Sequence, residues 1–310
     1  MQAVTASERR TPWWQSQALK RNLVGYLFIS PFIIGFLVWT VGPMGAALWM
    51  SFTDWDLIKA PTFTGLENVR FLLQDKMLLQ ALKVTCYYTF AEVPLRLVLA
   101  LVVALLMNAR LRGMSFFRTI YYMPSIVPAV ANAVMWAWIL NTEFGLLNTM
   151  LRSIGLPKIK WLQDPDLVIP ALLIMSLWGL GNTMVIYLAG LQGIPEVYYE
   201  AAEIDGANWW SKFWKITVPQ ISSVIFFNLV MSVIATFQTF VAGYLITDGG
   251  PQNATLFYVL YLYRNGFQYF RMGYAALLGW VLFLIITAMT LVIFRSLNRH
   301  VYYEEGGGEG

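Results

Sequence analysis

One cysteine and one histidine stand in 310 residues. Cys86 has no partner in the chain, so an intrachain disulfide and a cysteine zinc site are both excluded. His300, near the C-terminus, cannot build a histidine-rich metal cluster. Charge is scarce as well. Only 12% of residues are Asp, Glu, Lys or Arg, where a soluble domain carries about 25%. The formal excess of +4 is too small to imply nucleic acid as a partner, and the longest basic run is the pair Arg9–Arg10. No GxxxxGK[ST] loop occurs, so the chain does not cradle ATP phosphates by that device. No nucleophile–base pair points to an enzyme, and neither a repeat period nor a separate soluble domain is visible.

What is present is apolar: 58% of residues. Six stretches, at about 24–50, 84–107, 120–140, 167–191, 220–246 and 273–294, are each long enough to cross a ~30 Å hydrocarbon core. Unpaired backbone is costly in lipid, so they are expected to be helices. The fold class is therefore all-α, a polytopic membrane protein with six transmembrane helices. The expected organisation is an N-terminal segment 1–23, a transmembrane domain 24–295 and a C-terminal tail 296–310. The first stretch is long and follows a polar head, and it is not read as a cleaved signal peptide. Arg9, Arg10, Lys20 and Arg21 in the head, with Arg110, Arg112 and Arg118 in the 109–118 loop, put both termini in the cytoplasm. The turn Asp248-Gly249-Gly250-Pro251 and the interfacial aromatics Trp55 and Trp161 fall on the opposite side. The glycine- and glutamate-rich end after Tyr302 reads as a flexible tail.

Two ionisable residues lie well inside a span, Glu92 and Arg96, at i and i+4. Intramembrane charges mark ion relays, and an ion-driven transporter is one reading. The favoured one is an internal ion pair facing the bundle, because the adjacent opposite charge keeps the carboxylate ionised.

The loop 192–218 is unlike the others. Pro195 suits the first turn of a helix. Val197, Ala201 and Ile204 make an apolar stripe, and Glu196, Glu200 and Glu203 an acidic edge. Gly206 is placed to end this helix and Asn208 to cap the next, whose Trp210, Phe213 and Trp214 share one side. Pro219 breaks the chain before the fifth span. Such a segment lies on the membrane surface or docks into a partner protein. Residues 196–205 carry four acids and no base, which anionic lipid would repel, so docking is favoured. Lys212 and Lys215 leave the second short helix able to touch lipid.

These residues closely resemble the signature of the sugar-permease family of bacterial ABC importers, which carry maltose, oligosaccharides or glycerol phosphate. The signature stands here as Glu200-Ala201-Ala202, Asp205-Gly206-Ala207, Phe213 and Pro219. Arg118-Thr119, Pro124, Pro128, Trp136, Phe144-Gly145-Leu146-Leu147-Asn148, Gly65-Leu66-Glu67-Asn68 and Thr247-Asp248-Gly249-Gly250-Pro251 fit too. The resemblance covers about residues 20–297 and is nearer the larger-type maltose permease, without that type's large outer insertion. Val69 stands where the family usually has Tyr, and Val84-Thr85 replaces Asn-Thr. The resemblance implies a type I ABC importer permease. Its 200–219 segment would be a coupling helix seated in a cytoplasmic ATPase. Its partners would be a second permease, two ATPase copies that hold ATP and Mg, an extracellular or periplasmic solute-binding protein, membrane lipid and a carbohydrate. The chain itself would need no cofactor.

Sugar hydroxyls need hydrogen-bond partners and sugar rings need aromatic surface. Ser232, Thr236 and Thr239 fall at i, i+4 and i+7, a polar stripe in an apolar span, with Gln238 and Phe240 beside it. Trp178, Gly179 and Asn182 are the counterparts in the fourth span, and Asn228 is a weaker candidate. The stripe is a solute site or helix–helix packing glue. The resemblance places Ser232, Thr236, Thr239, Gly179 and Asn182 at sugar-contact positions. Trp136 and Trp138 read as interface anchors.

Overall fold

The computed structural model describes residues 17–109 and 111–297, with side chains from 22 to 296. Arg9, Arg10, Arg110, His300 and most of the segments 1–23 and 296–310 lie outside the described residues. Among the described residues, four helical segments are long and apolar enough to cross a membrane: Asn22–Met50, Lys76–Met107, Ser222–Leu245 and Met272–Ser296. Two further apolar stretches, expected as single spans, are bent helix pairs instead.

The first segment joins α1 (Gln17–Phe36) to α2 (Gly42–Met50) through the π-turn Leu37–Val41. Pro43 cannot donate to the carbonyl one turn back, and the wider π-turn absorbs the missing bond. None of its side chains is buried; Phe28, Phe32 and Trp39 all project outward. A loop follows that holds a small antiparallel ladder, a departure from all-α. In it β1 (Thr53–Asp54) pairs with β2 (Thr62–Phe63). Asn68, in α3 (Glu67–Gln74), pins it by donating to the carbonyls of Ser51 and Thr53, each at 2.9 Å.

The second span, α4 (Lys76–Met107), starts two turns earlier than its hydropathy implies. Asp75 caps it, accepting from the amides of Met77 and Leu78 at 2.9 and 3.1 Å. The third expected span divides into α5 (Met114–Tyr122), a 3-10 turn Met123–Ile126 and α6 (Ala129–Ile139), bent by 96°. Pro128 forces Val127 into an extended conformation, with ψ of 126°, and the helix cannot continue. After α7 (Leu146–Ser153) comes the fourth span, α8 (Val168–Trp178) and α9 (Gly181–Gln192), bent by 49° at Gly179-Leu180. No proline lies at that bend.

The fifth span is α13 (Ser222–Phe237) with α14 (Val241–Leu245). The short α15 (Tyr258–Tyr263) and a π-turn Arg264–Gln268 lead into α16 (Met272–Leu297). Between α9 and α13 lie α10 (Glu196–Ile204), α11 (Trp209–Lys212), a π-turn Phe213–Thr217 and α12 (Val218–Gln220). The helix α4 is the axis of the molecule, packed most extensively on α9 and α13. Lipid tails are as apolar as leucine, so close van der Waals packing must hold the helices together. Ala81, Ala100, Ala104 and Ala171 are wholly buried and let backbones approach. Trp136 is buried in this core rather than anchored at an interface, and its ring meets that of Trp178 edge-on at 6.2 Å. Trp161 likewise packs against the core, its indole nitrogen buried. Trp138 stays exposed.

Candidate functional site

The loop between α9 and α13 folds as a stiff elbow. Pro195 stands at the N-cap position of α10, one residue before the helix proper. At the other end, Gly206 takes a φ of +74°, Gly206 N–H donates to Glu203 at 3.0 Å and Ala207 N–H donates to Ala202 at 2.8 Å. This pair of bonds is a Schellman turn, which satisfies carbonyls left open at a helix end and favours glycine at the left-handed position. Asn208 then caps α11 by accepting from the Ser211 amide at 2.8 Å. Two contacts brace the elbow. Lys212 pairs with Glu203 at 2.6 Å, and the Tyr199 hydroxyl bonds Thr217 Oγ1 at 2.9 Å. Trp209, Trp210, Phe213 and Trp214 interlock, with ring centroids 5.1–6.0 Å apart. Pro219 sits in α12, and the backbone runs on through Ile221 into α13.

Among the described residues the apolar stripe of α10 covers nothing. Val197 is 60% exposed, Ile204 88%, and Ala201 is exposed between them. Glu200 and Asp205 are also exposed, Ala202 and Ala207 half-buried. Leaving an Ile and a Val in water forfeits about 1.5–3 kcal/mol each relative to full burial. Beneath α10 lies a cavity of about 600 Å³, lined by Asn108, Arg118, Gln192, Glu196 and Tyr199 among others. Arg118 forks onto the Met107 carbonyl at 2.8 and 3.1 Å, closing the end of α4.

The residues expected to meet a solute do not gather in one cavity. Ser232 and Thr236 face α4 and are buried. The Thr236 hydroxyl lies 3.1 Å from Glu92 Oε2 and 2.8 Å from the Ser232 carbonyl. Thr239 donates to the Thr236 carbonyl at 2.8 Å. Gln238 points the other way, into an apolar groove of about 790 Å³ between α13 and α16. Asn182 is exposed and opens with Arg118, Thr119 and Tyr122 on a third hollow of about 510 Å³. The Gly179 carbonyl is taken by donors from two other helices. Phe240 belongs to an aromatic ladder with Tyr244, Tyr263 and Phe267, neighbouring centroids 5.2–5.3 Å apart. That ladder had no signal in the sequence, since its members come from three separate elements. Asn228 is buried with its amide nitrogen unpaired.

Glu92 is 2% exposed and pairs with Arg96 at 2.5 Å. Both of its oxygens are engaged, one by Arg96 and one by Thr236. The internal ion pair is what the geometry holds.

Comparison with known proteins gives a consistent answer. Residues 96–302 match the family model of the binding-protein-dependent transport system inner membrane component. The chain is 46% identical over 290 residues to the Probable ABC transporter permease protein YesP of Bacillus subtilis (strain 168), covering 92% of this chain and 94% of that one. It is 33% identical to the lactose transport system permease protein LacF of Rhizobium radiobacter, over 91% and 97% of the two chains. Its fold matches a crystal structure of a bacterial ABC transporter that imports the acidic polysaccharide alginate. The TM-score is 0.79 at 24% identity, covering 91% and 98% of the chains.

Proposed function

The chain belongs to the family of binding-protein-dependent transport system inner membrane components, and from that premise we propose that it is one of two permease subunits of an ATP-driven carbohydrate importer. It is a multi-pass membrane protein and a transporter subunit, not an enzyme. In this reading each bent pair is one crossing, which makes six, with both termini in the cytoplasm of a bacterium and the chain in its inner or plasma membrane. The carbohydrate assignment rests on relatives such as the lactose permease.

The observation that carries the reading is α10. It is short, acidic and capped at its C-terminal end by a Schellman turn, and its apolar stripe is uncovered between two membrane crossings. A cytoplasmic ATPase would cover that stripe, with Glu200 meeting polar or basic groups. ATP and Mg would be bound there, not here. Because Tyr199–Thr217 and Lys212–Glu203 stiffen the elbow, and helical bonds run from Thr217 through Ile221 into α13, a push on α10 reaches α13 as displacement rather than as bending. The ATPase thus biases a two-state bundle between inward- and outward-open forms. A second permease supplies the other half of the path, and an extracellular or periplasmic binding protein delivers the sugar. Thr239 and Asn182 are the side chains of this half that would meet it, with Ser232 and Thr236 buried behind them. A sugar hydroxyl reaching Thr236 has to share it with Glu92.

The test is purification with both permeases, the ATPases and the binding protein, followed by a screen of sugars for stimulation of ATP hydrolysis. Stimulation by a sugar is expected. Stimulation only by a non-carbohydrate solute would overturn the substrate class. Accumulation of solute in liposomes by the isolated chain would overturn the subunit role.

A further inference from the structure

The fourth span breaks where no proline stands, and the break has to be held by something. An α-helix ends with carbonyls that have no intrahelical partner, and in a membrane each is costly to leave bare. At the end of α8 the Ser176 carbonyl accepts the Gly179 N–H at 3.2 Å, and its remaining lone pair and the Gly179 carbonyl are met from α4. Arg96 Nη2 donates to Ser176 O at 3.1 Å and Nη1 to Gly179 O at 3.4 Å, while Nε holds Glu92. Ser125, in the 3-10 turn of the other bent span, also donates to Gly179 O, at 3.3 Å. The two breaks touch. A Cβ on Gly181 would lie 2.6 Å from Ser125 Oγ and 2.8 Å from Tyr121 O, so only glycine lets α9 start there. Glu92, in turn, shares the single hydroxyl proton of Thr236, on α13, with the Ser232 carbonyl.

We propose that Arg96 is a positioning residue for transport: from α4 it holds the bend that aims α9 and, through Glu92 and Thr236, ties α13 to α4, so that the two arms of the elbow, α9 and α13, move as one body. This rests on the permease reading above. A buried ion pair is poor evidence of stabilisation in its own right, since a neutral pair of similar volume often serves as well. A guanidinium offers what a neutral pair and a lysine do not: a planar fork that reaches two carbonyls while a third N–H holds a carboxylate. The charge therefore has a geometric use at this break.

The experiment uses the full complex in liposomes, with Cys86 replaced and spin labels at two exposed positions, Val185→Cys on α9 and Phe227→Cys on α13. Distances are read without nucleotide and with vanadate-trapped ATP, beside ATP hydrolysis with and without loaded binding protein, the load being the sugar that best stimulates wild type in the screen. In wild type the label distance is expected to stay narrow and unchanged between the two states. In Arg96→Lys, and in the charge-free pair Glu92→Gln/Arg96→Gln, it is expected to broaden, with stimulation of hydrolysis falling at least about fivefold while basal hydrolysis persists. Wild-type distances and stimulation in the charge-free pair would overturn the proposal, since charge balance alone would then suffice. Loss of the assembled complex in both variants would overturn it too, because the pair would then be a folding element only. If wild type itself shows no stimulated hydrolysis, the permease reading fails, and the two failures are told apart.

Discussion

At position 75 a carboxylate carries four hydrogen bonds. Two come from amides at the start of α4; the others come from the Tyr261 and Tyr274 hydroxyls, both at 2.5 Å. Burial pushes the Asp75 carboxyl upward, but the donors from Tyr261, Tyr274 and the two amides outweigh it, and the net direction is down. A depressed carboxylate contributes stability that is full above the unfolded value of about 3.9 and is lost as pH falls through the folded one. Asp75→Asn is therefore expected to cost about 1–3 kcal/mol at pH 7. Its thermal midpoint should sit below that of wild type there, and the gap should shrink as pH drops below about 4. Gly206 makes a separable point. A Cβ there meets nothing within 4 Å, so Gly206→Ala pays only for the left-handed backbone, about 1–2 kcal/mol. Assembly should survive, and sugar-stimulated hydrolysis should fall, with Gly206→Pro and Glu200→Ala more severe. Normal stimulation in all three would remove the coupling role. Thr236→Val deletes the donor to Glu92, whereas Asn182→Ala deletes an exposed amide. Asn182→Ala should raise the sugar concentration needed for uptake, and Thr236→Val should lower the maximal rate, both measured by tracer uptake. Unchanged uptake in the double variant would sink the sugar site.

The elements differ in how plainly the chain announced them. The elbow between α9 and α13 could be read residue by residue, because capping and turn chemistry act within a few positions. Asn208 and Gly206 do what their residue types dictate. Since α11 has only four residues, its cap matters: Asn208→Ala should cost about 1 kcal/mol. Amide hydrogen exchange over 209–212 should quicken, with the rest of the bundle unchanged. The bend between α5 and α6 was also written locally, in Pro124 and Pro128, although hydropathy alone read 120–140 as one rod. The bend at Gly179 is legible only in part: Gly179 and Gly181 mark a break, but the guanidinium that meets the Gly179 carbonyl lies on another helix, 83 positions away.

The described molecule is an axis, α4, with two bent helix pairs and the elbow's arms arranged about it, and an outer first segment none of whose described side chains is buried. Reconstituted alone, it is expected to hydrolyse no ATP and accumulate no sugar, and with both permeases, ATPases and binding protein to do both; tracer uptake with and without the partners checks this. Composition and hydropathy already determined the membrane class and the apolar segments, because the expense of apolar surface in water and of bare backbone in lipid is settled by each segment on its own, and capping chemistry determined the elbow. The grouping of the polar side chains could not be read that way. Helical spacing put Ser232, Thr236 and Thr239 on one stripe, yet packing committed Thr236 to Glu92, turned Gln238 toward α16 and left Asn182 in a different hollow. Which helix faces meet is a long-range outcome of shape and buried hydrogen bonding, and no local pattern encodes it.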